Sequence, residues 1–182
     1  SVEVGSGQGP EMVEGTSAAR NDEVDGFLLG KMKERHIPGL QVAVVRKGRI
    51  IKAASYGVAN LQDSIAVDDE TLFAINSMTK AFTGVAVMQL VEQGKLRLTD
   101  EVSRFVPGLP AAWGEVTIAQ MVSHTSGLPN IMNNNTGRLV GGDSEEESWT
   151  WVQQQPMEFS PNEKFSYNQT NYLLLGKIIA KQ

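Results

Sequence analysis

The sequence predicts a mixed α/β fold of the α+β type, in which an antiparallel β-hairpin is combined with helices. Two apolar runs, 40–45 and 50–56, flank a basic, glycine-containing turn at 46–49, which is typical of a hairpin. Residues 22–35 repeat apolar side chains at helical spacing, and residues 78–93 form a longer helix with almost no charge in its middle. Because a two-stranded hairpin is only marginally stable alone, the fold requires more sheet than these two strands.

The chain before this first helix has a different composition. Residues 1–20 are rich in Gly, Ser and Glu, which predicts a flexible N-terminal tail. The helix over 22–35 is followed by Ile37-Pro38-Gly39, a sequence that stops helices. The structured domain is therefore expected to begin near residue 21.

The helix over 78–93 is apolar on nearly all sides, which predicts a buried, central helix. Gly94 follows it as the expected C-terminal cap. Five further segments complete the pattern. They are a short helix at 117–123, polar loops at 124–129 and 133–143, a helix from a capping box at Ser144 to about residue 155, and a helix at 171–182.

Composition narrows the possible function classes. The 182 residues are 41% apolar and 20% charged, as in an ordinary globular domain. A net charge of −5 argues against a nucleic-acid partner, which requires a basic face. No apolar run reaches the roughly 18 residues of a membrane span, and the absence of cysteine excludes disulfides and zinc–thiolate sites.

The main chemical signal lies at the start of the central helix, in Ser77-Met78-Thr79-Lys80. Residues three apart share one helix face, so the Ser77 hydroxyl and the Lys80 amine can approach each other. At a helix N-terminus the serine N–H can help to hold an oxyanion. Burial disfavours the charged ammonium, which makes Lys80 a candidate general base. The alternative is a helix-capping serine followed by a solvated lysine.

The second signal is the pair Tyr167 and Gln169, a phenol and an amide two residues apart. On an extended segment both can face one site, where a phenol beside a lysine can relay protons to a leaving group. The alternative is a polar loop that opens the last helix, with Thr170 or Asn171 as its cap.

Taken together, these motifs resemble the penicillin-recognising serine hydrolases, in particular the branch of class C β-lactamases, D,D-carboxypeptidases and related esterases. The match extends from about residue 22 to the end of the chain. It rests on five segments: the nucleophile motif (73–80), the segment after the central helix (94–100), the His-Thr-Ser-Gly-Leu loop (121–129), the segment leading to the tyrosine motif (159–167), and the continuation of that motif (172–176).

The resemblance implies an antiparallel sheet flanked by helices, a helical subdomain at about 78–182, and a site between these parts. It implies covalent catalysis in which Ser77 attacks an ester, β-lactam or peptide carbonyl and forms an acyl-enzyme. Lys80 and Tyr167 would share the proton transfers, with the identity of the base left open. Gln169 would bind substrate where the family has asparagine.

Two departures from the family are visible. Gln169 keeps the amide but is one methylene longer than asparagine. The family's third motif, Lys-Thr-Gly or a variant on a C-terminal strand, has no counterpart, since no lysine here precedes Thr-Gly or Ser-Gly. We therefore expect residues 21–182 to be the N-terminal portion of the domain, without the C-terminal strands, which a separate polypeptide could supply.

The same motifs are compatible with other functions. A non-catalytic penicillin-binding-type or scaffold protein, or one half of an obligate two-chain hydrolase, would carry the same motifs. His124 is a candidate triad base, but the resemblance makes its loop structural. We expect no cofactor and no metal site, because no His and carboxylate residues have ligand spacing. No signal peptide is recognisable, so both a cytoplasmic and an exported mature form fit the sequence.

Overall fold

A computed structural model of the chain describes residues 22–182, which form two compact units, one ending at Ala74 and the other beginning at Ile75. The predicted tail at 1–20 lies outside the described residues. The first unit carries the sheet predicted around the hairpin, and the second carries most of the helices. This combination confirms the predicted α+β class.

The first unit begins with helix α1, Glu23–Arg35. Asp22 caps it: the Asp22 carboxylate accepts from the Asp25 N–H at 2.9 Å, and the Asp25 carboxylate accepts from the Asp22 N–H at 3.3 Å. This reciprocal capping box satisfies N–H groups that have no partner within the helix. The helix ends at His36 in the left-handed conformation, close to the predicted boundary.

The predicted hairpin follows as β1, Gly39–Arg46, and β2, Arg49–Asn60, which pair antiparallel. The two residues between them, Lys47 and Gly48, have φ values of 51° and 74°, as a twist-matched two-residue turn requires. A short strand β3, Ile65–Ala66, pairs with the other edge of β2 and gives the order β1-β2-β3. The hairpin therefore has the additional sheet that the sequence required.

A buried charged cluster joins α1 to β2. The Lys52 ammonium lies 2.8 Å from Oδ1 of Asp25 and 3.0 Å from Oδ2 of Asp22, and the Tyr56 hydroxyl donates to Asp25. Asp25 and Lys52 are both almost inaccessible to solvent. The Lys52 ammonium and the Tyr56 hydroxyl hold the pKa of Asp25 below its usual value, although burial acts in the opposite direction.

Replacing Asp25 with asparagine should destabilise the chain at neutral pH. A carboxyl whose pKa is lower in the folded than in the unfolded state stabilises the fold above its unfolded value, near 3.8, and loses that contribution as the pH falls. Denaturant unfolding at several pH values should therefore give a wild-type-minus-Asp25→Asn difference that is large at pH 7 and shrinks below pH 4. Glu23→Gln, in the same helix turn, is the matched control, and a pH-independent difference would contradict this account.

The second unit is built around helix α2, Thr79–Glu92, which follows a single 3₁₀ turn at Asn76–Met78. After α2, the Gly94 N–H donates to the Val91 carbonyl and the Lys95 N–H donates to the Leu90 carbonyl. This Schellman pattern needs a left-handed residue, and Gly94 has a φ of 69°, which confirms its predicted capping role.

The remaining elements of the second unit are mostly those expected. Helix α3 spans Ile118–Val122, and Thr117 closes a capping box with Gln120. Helix α4 spans Glu145–Val152, and its N-cap is the predicted Ser144. Helix α5 spans Gln169–Ile179. The segment 133–143, predicted as a loop, instead contains a small antiparallel hairpin formed by β4, Met132–Asn133, and β5, Arg138–Leu139.

The apolar core of the second unit draws on every helix from α2 to α5. Its fully buried members include large side chains from the loops as well as from the helices, among them Val102, Trp113, Val116, Ile118, Met121, Leu128, Val152, Leu174, Leu175 and Ile178. Helix α5 packs against both α2 and α3. A hydrogen bond from Lys80 to Gln169 joins the start of α2 to the start of α5. This packing determines which polar residues can meet.

The prediction that α2 is buried on all sides is wrong within residues 22–182. Only Val87 is fully buried, whereas Phe82, Val85 and Met88 are 68%, 59% and 50% exposed. The apolar composition shows that the helix is hydrophobic but not which of its sides are packed, and α2 packs on only one side against the core of its own unit. Its other side is a solvent-facing apolar surface.

Candidate active site

Ser77 lies in the 3₁₀ turn that leads into α2, and its side chain is exposed. The residue before it, Asn76, has a φ of 46°, a left-handed conformation that is uncommon for a residue with a side chain. The Met78 and Thr79 N–H groups are already bonded, to the carbonyls of Ile75 and Asn76, so the favourable charge at this end comes from the dipole of α2. Ser77 therefore combines an accessible hydroxyl with a position where backbone dipoles favour negative charge.

Lys80, three residues later, faces Ser77 as the spacing predicted. Its Nζ lies 3.5 Å from Oγ of Ser77 and donates a shorter hydrogen bond of 2.7 Å to Oε1 of Gln169. Lys80 is half-buried rather than enclosed. The structure thus brings the two predicted motifs together across 89 positions of sequence.

Two aromatic rings complete the surroundings of the Lys80 ammonium. Its Nζ lies 4.8 Å from the ring centre of Tyr167 and 5.2 Å from that of Tyr172. Ring faces at this distance attract a cation. Tyr172 was not predicted as part of the site. In the sequence it stood out only as the first residue of the segment 172–176 that continues the tyrosine motif, four residues after Asn168.

The Tyr167 phenol has opposing influences on its ionisation. Burial raises its pKa, but hydrogen bonding with the side chains of Lys80, Ser77 and Gln169 and the positive charge of Lys80 outweigh burial, so that the pKa lies below its usual value. The other two tyrosines, Tyr56 and Tyr172, shift in the opposite direction, chiefly because of burial. Tyr167 is therefore the tyrosine that loses its proton most readily.

His124 packs against the rings of Tyr167 and Tyr172 and does not contact Ser77 as a triad base would. Its ring stacks on Tyr172 with centroids 5.1 Å apart and lies 4.7 Å from the Tyr167 ring. Its Nδ1 accepts a hydrogen bond of 3.1 Å from the Asn168 N–H. Burial and the charge of Lys80 lower the pKa of His124, so the ring stays neutral and Nδ1 remains an acceptor at neutral pH.

The loop after His124 holds the start of α5 through side-chain hydrogen bonds. Asn168, the actual N-cap of α5, donates to the Leu128 carbonyl at 2.6 Å, and Thr170 donates to the Pro129 carbonyl at 2.7 Å. The predicted caps were therefore wrong: the Thr170 hydroxyl is bound by the loop, and Asn171 accepts from Ser126 at 2.6 Å.

Gly127 allows this loop to lie against the segment before Tyr167. It has a φ of 74°, and a Cβ built there would lie only 2.0 Å from the Phe159 carbonyl oxygen. No side chain fits at that distance. The glycine of the His-Thr-Ser-Gly-Leu loop is therefore required by close backbone packing as well as by its φ.

Among the described residues there is neither a cluster of metal ligands nor a helix that could span a membrane. Between residues 22 and 182, no three His, Cys, Asp or Glu side chains converge in a way that could hold a metal ion. Within that same range, each helix is too short or too polar to cross a membrane.

Curated relatives share the sequence over most of this chain. Protein flp of Staphylococcus aureus strain N315 is 29% identical over 161 residues, covering 86% of this chain and 32% of its own length. Penicillin-binding protein 4 of Amycolatopsis lactamdurans is 35% identical over 150 residues, covering 80% of this chain and 39% of its own length. The chain thus spans about a third of the length of the curated relatives that it matches.

Solved structures share the fold. A class C β-lactamase crystallised in complex with cefoxitin superposes with a TM-score of 0.75 at 27% identity, over 90% of this chain and 45% of that one. The family model described as "Beta-lactamase" matches residues 24–182, which include both units. The chain therefore belongs to the β-lactamase family.

Proposed function

We propose that this chain carries the nucleophile and proton-transfer groups of a serine hydrolase that works through a covalent acyl-enzyme. The observation that carries the proposal is the convergence of Ser77, Lys80 and Tyr167 at the N-terminus of α2. A hydroxyl, an amine and a phenol of lowered pKa in contact are the groups that activate a serine and protonate a leaving group.

In the proposed reaction, the Ser77 Oγ attacks a substrate carbonyl carbon and passes its proton to Lys80 or Tyr167. The tetrahedral oxyanion forms beside the N-terminus of α2, whose dipole favours negative charge. Its collapse breaks the bond to the leaving group, which takes up the proton. Water then attacks the Ser77 ester by the same route, releases the acid and restores the hydroxyl.

Two residues, Lys80 and Tyr167, are candidates for the base that accepts the Ser77 proton. The lowered pKa of Tyr167 favours the phenolate as the group that takes the Ser77 proton. In that case, the Lys80 ammonium stabilises the phenolate by its charge and its hydrogen bonding. If Lys80 is the base instead, Tyr167 delivers the proton to the leaving group.

Gln169 contributes the amide that the family supplies with a shorter asparagine. Its Oε1 accepts from Lys80 at 2.7 Å, so the extra methylene still allows the contact with the lysine. The amide N–H₂ at the other end of this side chain can donate to a carbonyl of the substrate. We assign Gln169 to substrate binding and to the orientation of Lys80.

The substrate in this proposal is a small molecule or a peptide, and the carbonyl attacked belongs to an ester, a β-lactam or a peptide bond. The names of the matched proteins, a penicillin-binding protein and a β-lactamase in complex with cefoxitin, favour acyl compounds of the β-lactam type.

Labelling with a fluorophosphonate probe tests the proposal. The chain is incubated with the probe, its intact mass is measured, and the adduct is located by peptide mapping. We expect one adduct per chain, on Ser77. A chain that is folded by circular dichroism but carries no adduct, or carries it on another residue, would overturn the proposal.

The second candidate is a binding or scaffold protein on the same fold, or a chain that is catalytic only when another polypeptide completes it. The exposed apolar side of α2 favours it, since Phe82, Val85 and Met88 form a surface that a further segment could cover. This candidate predicts that penicillin binds reversibly without an adduct, or that an adduct appears only when a complementing polypeptide is added.

A further inference from the structure

The peptide unit between Tyr167 and Asn168 is held from both sides by side chains. Its carbonyl oxygen, on Tyr167, accepts a hydrogen bond of 2.7 Å from Nδ2 of Asn134. Its N–H, on Asn168, donates 3.1 Å to Nδ1 of His124. With both polar groups bound, the plane of this peptide is fixed, and with it the direction in which the Tyr167 side chain leaves the backbone.

Asn134 is itself held in place by Asn130. Oδ1 of Asn134 accepts 3.0 Å from Nδ2 of Asn130, and Oδ1 of Asn130 accepts 2.9 Å from the Gln169 N–H. The two asparagines therefore link the carbonyl of Tyr167 to the N–H of Gln169, the residues that contact Lys80.

The hairpin β4–β5 gives Asn134 a rigid support. Asn134 begins its turn, in which Oδ1 of Asn133 accepts from the N–H groups of Asn135 and Thr136. At the base of the hairpin, the Ile131 N–H donates 2.9 Å to the Thr170 hydroxyl. Both ends of the hairpin are thereby connected to the start of α5.

We infer that Asn134, held by Asn130, is a positioning residue for Tyr167. This inference rests on the proposed function, because the position of Tyr167 matters to the extent that its phenol transfers protons at Ser77. Asn134 touches no reacting atom. It acts by keeping the Tyr167 phenol within reach of Lys80, Ser77 and Gln169.

The inference predicts an unusual sensitivity at an exposed position. Asn134 is exposed, and exposed substitutions usually have small effects on stability. Asn134→Ala removes both of its side-chain hydrogen bonds, and Asn134→Asp keeps the acceptor for Asn130 but removes the donor to Tyr167. Both variants should slow fluorophosphonate labelling by roughly threefold to tenfold, the equivalent of one hydrogen bond. Asn135→Ala and Asn135→Asp, at the next exposed position, are the matched controls.

A second readout does not depend on catalysis. The chain has three tyrosines, and Tyr167 alone has a lowered pKa, so it ionises first in an ultraviolet pH titration of the phenolate. In the Asn134 variants the Tyr167 phenol should lose part of its hydrogen bonding, and its pKa should rise. A Tyr167→Phe spectrum identifies the step that belongs to Tyr167.

The outcomes separate this inference from the proposed function. Slower labelling with a raised Tyr167 pKa in the Asn134 variants, and in neither Asn135 variant, supports it. Unchanged values at Asn134, equal changes at Asn135, or slower labelling without a shift of the tyrosine titration would overturn it. If the wild-type chain carries no adduct, the proposed function fails, while the titration alone still decides whether Asn134 positions the phenol.

Discussion

Replacing Ser77 with alanine should abolish covalent labelling and lower acyl-ester turnover by about 10⁴-fold or more. The substitution removes the only atom that can form the acyl bond in the proposed reaction, while Lys80, Tyr167 and Gln169 stay in place. Because the Ser77 side chain is exposed, the unfolding free energy should change by less than about 0.5 kcal/mol. Labelling followed by intact mass, and p-nitrophenyl ester hydrolysis, measure the two effects.

Ser103→Ala provides the matched control. Ser103 is also an exposed serine in a single 3₁₀ turn, Val102–Arg104, but it does not precede a lysine at the start of a long helix. This variant should label and hydrolyse as the wild type does. Turnover retained in Ser77→Ala would sink the assignment of the nucleophile, and equal losses in both variants would indicate a general effect on the fold.

Local signals in the sequence predicted much of the fold because they act over a few residues. The capping box at Ser144 and the glycine at position 94 each satisfy backbone groups of a neighbouring turn, so the pattern alone indicates the helix boundary. The spacing of Ser77 and Lys80 likewise predicted that their two side chains meet at the start of α2. The structure contains both of these helix ends and the contact between Ser77 and Lys80.

The features that the sequence did not reveal depend on contacts between distant segments. The Asn168-Gln169-Thr170-Asn171 stretch offers three possible caps for α5. The choice falls on Asn168 because the loop 126–131 binds the side chains of Thr170 and Asn171. Nothing in the sequence distinguishes Asn134 either, since it is one of three consecutive asparagines. Only its hydrogen bond to the carbonyl of Tyr167, 33 positions away, distinguishes it.

For helix α2, the sequence predicted a burial that the structure does not have. A composition without charge predicts burial, but burial also requires a neighbour on each side. Within residues 22–182 the core covers the face of Val87 and leaves that of Phe82 in solvent. Exposed apolar surface of this kind usually marks an interaction site, which is why the second candidate function is retained.

Replacing Lys80 with methionine is expected to slow acylation by about 10²- to 10⁴-fold, the range for loss of a group that takes part in proton transfer. Methionine keeps an unbranched apolar stem and removes the amine that contacts Ser77, Gln169 and the Tyr167 ring. Lys95→Met is the control, since Lys95 is exposed and its amine donates only to the backbone carbonyl of Gln182 among the residues described. Labelling rates measured across a pH range give both the loss and its pH dependence.

The pH dependence separates the two possible roles of Lys80. Hydrogen bonding and positive charge from Lys80 both lower the pKa of Tyr167, so removing the amine should raise it. A phenolate base is lost as the pH falls through its pKa. If Tyr167 is the base, then on lowering the pH the labelling rate of Lys80→Met should begin to drop at a higher pH than that of the wild type. In alkaline solution, where the Tyr167 phenol is ionised in both proteins, the rate of the variant should partly recover. A loss that grows as the pH rises, because the wild type gains a deprotonated amine that the variant lacks, would instead assign the base to Lys80. A variant that labels as fast as the wild type would remove Lys80 from the mechanism.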